Sequence, residues 1–187
     1  MLVEAFVQYK FLLLVLYRQN VCFVKGGQHE GKMSLPYRNN KKKRPQSYIL
    51  IGDGFDELEV VYFLHKFRQA GLSIKSVSLF DKLVFSRQGV GLKADYALAE
   101  QPLDPADDCL LILPAGGRNG DALRRDARVK SLLQAIDSSN GRVAVTNSSS
   151  KLAADVEKLM KQSTYQPQIG QDLDEFVDNL TERAVFV

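Results

Sequence analysis

From Ser47 onward, apolar and polar positions alternate between two spacings. YILIG (48–52) is a short, β-rich apolar run, and DELEVVYFLHKFRQAG (56–71) is apolar at helical spacing and closed by Gly71. Together they open a βα unit. SIKSVSLF (73–80) predicts a second strand, and LVFSRQGVGLKAD (83–95) a hairpin turning through Gln88 and Gly89. CLLILP (109–114) predicts a third, buried strand, followed by the glycine-containing loop AGGRNG (115–120). A helix is expected through RVKSLLQAIDSS (128–139), with Asn140 and Gly141 as its stop. RVAVTN (142–147) then predicts a fourth strand, and a helix runs from Ser149 towards Lys161. Strands that are apolar almost throughout imply an α/β fold, a mostly parallel sheet with helices on both faces. Ligands of such sheets gather at the carboxyl ends of the strands, which singles out the loops after Ile51, Pro114 and Thr146. The final run, TERAVFV (181–187), is apolar and β-rich, so a terminal strand is expected there. An edge of that kind is prone to pair with another chain.

Ahead of this domain (47–187), residues 1–46 read differently. The stretch FLLLVLY (11–17), between Lys10 and Arg18, is about a third of a membrane span and lacks a small-residue cleavage site, so neither a span nor a signal peptide is expected. Peripheral attachment is the alternative. The segment after it is polar and basic, which predicts a disordered or weakly structured leader. A chain begun at Met33 would keep everything the domain needs. Of the 25 Lys and Arg, nine lie ahead of Ser47, against two of the 22 Asp and Glu. The remaining 16 basic and 20 acidic residues leave the domain acidic. The overall charge of +3 therefore belongs to the leader, and nucleic acid is not an expected partner. Two cysteines, Cys22 and Cys109, are too few for a disulfide framework or zinc cluster, and a reducing cytoplasm is the default compartment. Cys109, inside an apolar run, reads as a small buried hydrophobe.

Three loops carry candidate chemistry. GDGFDELE (52–59) ends on Glu59, LILPAGGRNG (111–120) holds Ala115 and Gly116, and GRVAVTNSSSKLAAD (141–155) joins the fourth strand to a helix. Occurring in this order, they resemble the ThiJ/PfpI superfamily from about Tyr48 to Val187. The resemblance implies a flavodoxin-like three-layer sandwich, apparently truncated at the C-terminus, and a homodimer. It implies a protonated glutamate at Glu59 hydrogen-bonded to a nucleophilic thiolate. It also implies an oxyanion hole at the backbone amides of the Ala115–Gly116 loop, and Arg87, in the segment FSRQG, near the site mouth. At the nucleophile elbow, however, Asn147 takes the position of the family's cysteine, and Ser148 and Ser149 those of its histidine and glycine. Asparagine tolerates the strained backbone of such an elbow, so the turn is expected to persist.

The chemistry admits two main readings. In the first, the domain is catalytically degenerate: Glu59, Arg87, Ala115, Gly116, Asn147, Ser148 and Ser149 form a pocket for a small anionic or carbonyl metabolite or a partner. Glu59 is then a buried acid bonded to the Asn147 side chain, and Ser148 to Ser150 cap the next helix. In the second, an enzyme remains, a hydrolase or glyoxalase-like activity. It would use a hydroxyl of Thr146, Ser148, Ser149 or Ser150, or Glu59 itself as base. A structural or regulatory dimerisation module is a third. Glu59, Asn147 and Ser148 are the catalytic candidates. His65, on the Glu59 helix, is expected to pack or face solvent. Its spacing from Glu59 does not suit a metal, and no cofactor is implied.

Overall fold

The computed structural model describes residues 46–105, 108–161 and 164–185. The leader, Met33 and Cys22 lie outside the described residues. Strand β1 (Ser47–Ile51) is buried along its whole length. The chain then runs through α1 (Glu57–Gln69), β2 (Ile74–Ser78), β3 (Leu83–Phe85), β4 (Gly91–Lys93) and β5 (Tyr96–Ala97). It continues through β6 (Leu110–Leu113), α2 (Asn119–Arg125), α3 (Ala127–Ser138), β7 (Arg142–Val145), α4 (Lys151–Leu159) and α5 (Leu173–Val185). Five strands form one sheet in the order β5-β2-β1-β6-β7, every pair parallel. The hairpin β3-β4 stands apart as a two-stranded antiparallel ribbon, and Gly89 turns it with φ of 85°.

Alternation along each strand divides the core into two. Tyr48, Leu50, Leu111, Leu113, Val143 and Val145 point to one face, where they pack with α2, α3 and α4. Ile49, Ile51, Leu110, Ile112 and Ala144 point to the other, against α1 and α5. This is the mostly parallel three-layer α/β sandwich read from the sequence. In α1, Val60, Phe63, Leu64 and Phe67 are buried at helical spacing, Asp56 caps the first turn, and Lys66 and Arg68 sit in the last, where the helix dipole favours cations.

The structure departs from the sequence reading in three places. Beside the four expected parallel strands, Tyr96–Ala97 adds a fifth at the β2 edge. The segment after Gly117 is not wholly loop, because α2 begins at Asn119 and precedes the expected helix, which is capped by Asp126. Helix α5 runs to Val185, through the described part of the segment where a strand was expected. In LDEFVDNLTERAV, Phe176, Val177 and Leu180 are buried at spacings of one, three and four, a stripe that suits a helix and not a pleat. Phe176 meets Phe63 edge-on at 6.5 Å, and Lys66 reaches Asp178 at 2.7 Å, so α5 covers the face of the sheet beside α1.

Candidate functional site

Strand order reverses between β1 and β6: the chain moves outward through β2 and β5 on one side, then returns to build β6 and β7 on the other. A cleft forms at the carboxyl ends of strands flanking such a switch point. Here it has a volume of about 490 Å³ and brings together Asp56 and Glu59 from the start of α1, Gly116 after β6, and Thr146 to Ser149 after β7. One wall is the turn Pro167–Gln171, held by hydrogen bonds between Gln168 and Gln171.

The sequence folds locally to serve this arrangement. Asp56 Oδ1 accepts the amides of Leu58 (3.1 Å) and Glu59 (3.2 Å), fixing the first turn of α1 with Glu59 pointing into the sheet end. Gly116 N–H donates to Glu59 Oε2 at 3.0 Å, and a Cβ on Gly116 would stand 2.5 Å from that oxygen. Gly117 has φ of 64°, and a Cβ there would strike the Gly54 carbonyl, so only glycine fits. Asn119, fully buried, holds the strand ends in register. Its Oδ1 accepts Gly52 N–H at 2.6 Å, and its Nδ2 donates to Pro114 O (2.6 Å) and Leu50 O (3.3 Å). Past β7, Asn147 Oδ1 accepts Ser149 N–H, and of Ser148 to Ser150 it is Ser150 that caps α4, through Ala153 N–H at 3.1 Å.

Glu59 is nine-tenths buried. Burial raises its carboxyl above the usual glutamate range and Asp56 adds to this, while hydrogen bonds from the Thr146 hydroxyl and the Gly116 amide act in the opposite sense. Its hydrogen-bond partner is thus the Gly116 amide, with Thr146 beside it, where the sequence reading expected the Asn147 side chain. Asn147 is exposed and turns instead onto Ser149, because a short amide reaches the second amide along the chain most readily. Nor is Asn147 strained. Among the described non-glycine residues only Asp108 and Asn140 have positive φ.

The expected oxyanion amides are also committed. Gly116 N–H is bound to Glu59, and Ala115 N–H donates to Thr146 Oγ1 at 2.8 Å. Ala115 does not line the cleft, and neither does Arg87, which is exposed and whose amide binds Phe55 O. His65 faces solvent. Cys109, at the amino end of β6, is buried and lies close to Gly141, at the opposite end of the strand from the cleft. Glu59, Gly116, Asn147, Ser148 and Ser149 are therefore brought together. The sequence reading weighs Thr146 only as a nucleophile, and it misses Asn119 and the Pro167–Gln171 wall. Among the described residues, no three His, Cys, Asp or Glu side chains are placed to hold a metal, and no helix is long and apolar enough to cross a membrane.

A parallel α/β sandwich with an acid after β1, a glycine loop after β6 and a polar turn after β7 defines a flavodoxin-like domain with a switch-point site. Residues 46–187 match the model of the DJ-1/PfpI family, and the chain belongs to that family. A protein of Thermococcus kodakarensis named "Deglycase TK1284" is 33% identical over 76 residues, which cover 41% of this chain and 44% of that protein. The match thus spans less than half of that relative. Among solved structures, a mutant of the DJ-1 superfamily protein STM1931 from Salmonella typhimurium is similar with a TM-score of 0.63 at 16% identity, over 76% of this chain and 91% of the other. Drosophila melanogaster DJ-1beta is similar with a TM-score of 0.60 at 18% identity, over 75% and 90%. These likenesses establish the shared fold.

Proposed function

We propose that this domain binds a small carbonyl metabolite in the switch-point cleft without thiolate chemistry. The observation that carries the reading is the buried Glu59, held by the Gly116 amide with Thr146 beside it, in a cleft lined by no cysteine among the described residues. In this reading Asn147 takes the nucleophile position, and the glutamate that would serve a thiolate is engaged by the Gly116 amide instead. In its protonated form Glu59 donates to a ligand carbonyl oxygen, and the hydroxyls of Ser148 and Ser149 add further hydrogen-bonding capacity. The lining holds no cationic side chain among the described residues, which favours a carbonyl compound over an anion. Titration of the ¹⁵N-labelled protein with methylglyoxal tests this. Saturable amide shifts confined to Gly116 and 146–149, absent in Glu59→Gln, are expected. Shifts scattered over the surface would refute it.

A second reading keeps an enzyme. The raised Glu59 carboxyl lies beside the Thr146 hydroxyl, a pairing suited to general acid–base work, and a relative carries the name deglycase. On this reading Thr146→Val abolishes turnover.

We further propose a cytoplasmic homodimer. Cys109 is a buried thiol, suited to a reducing compartment. Leu58, Val61, Leu83, Phe85 and Val90 are large apolar side chains left exposed on α1 and the adjoining hairpin. The Gly54 amide binds Phe85 O at 2.8 Å, which ties the start of α1 to that hairpin. A second copy covering this strip would be an isologous partner.

A further inference from the structure

The walls of the cleft differ in chemistry. Glu59 and residues 146–149 are polar, but the segment 167–173 brings Pro167, Ile169 and Leu173 to the lining. Ile169 sits inside a closed turn: Gln168 N–H donates to Gln171 Oε1 at 2.9 Å, and Gln171 N–H to Gln168 O at 3.0 Å. Gly170, with φ of 83°, turns the chain beside it. Such a turn tip usually carries a small or polar residue. Here it carries an isoleucine that is 104% exposed.

A lone exposed apolar side chain is ordinary on a protein surface. Ile169 differs because it lines a cleft of about 490 Å³. That volume lies within the about 300–1,000 Å³ of pockets that take drug-sized ligands, and a three-carbon compound such as methylglyoxal would leave most of it to water. Leu58, 79% exposed, lines the cleft as well, but it also begins the strip assigned above to a second copy. Ile169 belongs to the cleft alone. We propose that Ile169 sets the specificity of this cleft, by taking the uncharged alkyl tail of a ligand whose carbonyl oxygen lies at Glu59. The tail covers Ile169 between Pro167 and Leu173, and the gain grows with the apolar area removed from water. This inference rests on the carbonyl-binding reading and names its substrate class, alkyl ketones and aldehydes.

The probes are butan-2-one, pentan-2-one, hexan-2-one and heptan-2-one, which share one carbonyl and differ only in the tail. Their affinities for the ¹⁵N-labelled full chain are measured by amide shift titration. A fully buried methylene tightens binding about fourfold and one covered on a single side about twofold, so heptan-2-one should bind about eightfold tighter than butan-2-one. Shifts are expected at Gly116, 146–149 and 168–171. Ile169→Ser should bring heptan-2-one to within about threefold of butan-2-one, while Ile169→Leu keeps the gradient. Because Ile169 is fully exposed, neither substitution opens the core. Equal affinities along the series, a gradient as steep in Ile169→Ser as in wild type, or no binding of any ketone would overturn the inference. If methylglyoxal still shifts Gly116 and 146–149 in that event, the carbonyl-binding reading stands and only the tail is lost. If the gradient appears and depends on Ile169 while Gly116 stays silent to every probe, the apolar subsite stands and the carbonyl-binding reading falls.

Discussion

Asn119 is the residue on which the geometry of the cleft most depends, and its removal has a calculable cost. Its side chain makes three buried hydrogen bonds, to the Gly52 amide and to the carbonyls of Pro114 and Leu50. Asn119→Ala deletes all three and leaves one amide and one carbonyl, Gly52 N–H and Pro114 O, without these partners inside the protein. Each bond is worth about 1 kcal/mol net, and a stranded buried polar group costs about 1–3 kcal/mol more. The sum expected is about 5–9 kcal/mol, comparable with the about 5–15 kcal/mol that holds a domain together. Urea unfolding followed by circular dichroism measures it, and the midpoint should fall with little change in slope. Asn119→Asp is the informative control. It keeps an acceptor for Gly52 but sets an oxygen against the Pro114 carbonyl, so it should lose nearly as much. A loss below about 1 kcal/mol in the alanine variant, or full stability in the aspartate variant, would refute this account of how β1 and β6 are joined.

The same geometry sets further outcomes. Gly116→Ala drives a methyl group into Glu59 and should abolish amide shifts on methylglyoxal titration at a stability cost of about 1–3 kcal/mol, read from the same two measurements. Because the Glu59 carboxyl lies above its ordinary value of 4.5 in the folded state, the stability it contributes is complete below that value and is lost as pH rises through the raised one. Wild type should therefore lose stability relative to Glu59→Gln across that window, and a pH-independent difference between the two would count against the shift. Ser150→Ala removes the cap of α4 and should cost about 1 kcal/mol in the same unfolding assay. Phe85→Glu, on the exposed strip, should yield a monomer by light scattering where wild type is dimeric.

Much of the fold was legible because burial on both faces leaves an unmistakable run. LLIL at 110–113 and YILI at 48–51 have no polar position to place in solvent. Helix α1 was equally plain, with Asp56 before it and Gly71 after it. The terminal helix was not, since TERAVFV taken alone is β-rich; the stripe of Phe176, Val177 and Leu180 appears only when the segment is read from Leu173. For the site, Glu59 and Gly116 could be named from their motifs, but what each binds could not. The Gly116 amide meets an acid 57 residues away, and the Asn119 amide joins loops 67 residues apart, separations across which periodicity carries no signal. Asn147 was expected to be strained because it stands at an elbow. The turn avoids that strain by an ordinary side-chain bond to Ser149.

The central claim is that the cleft survives as a binding site without thiolate chemistry. Its most direct test is the conversion of methylglyoxal to lactate by the purified 187-residue protein, followed beside Cys109→Ser and Glu59→Gln. The account predicts no conversion above buffer for any of the three. Conversion by wild type that is lost in Cys109→Ser or in Glu59→Gln would contradict it.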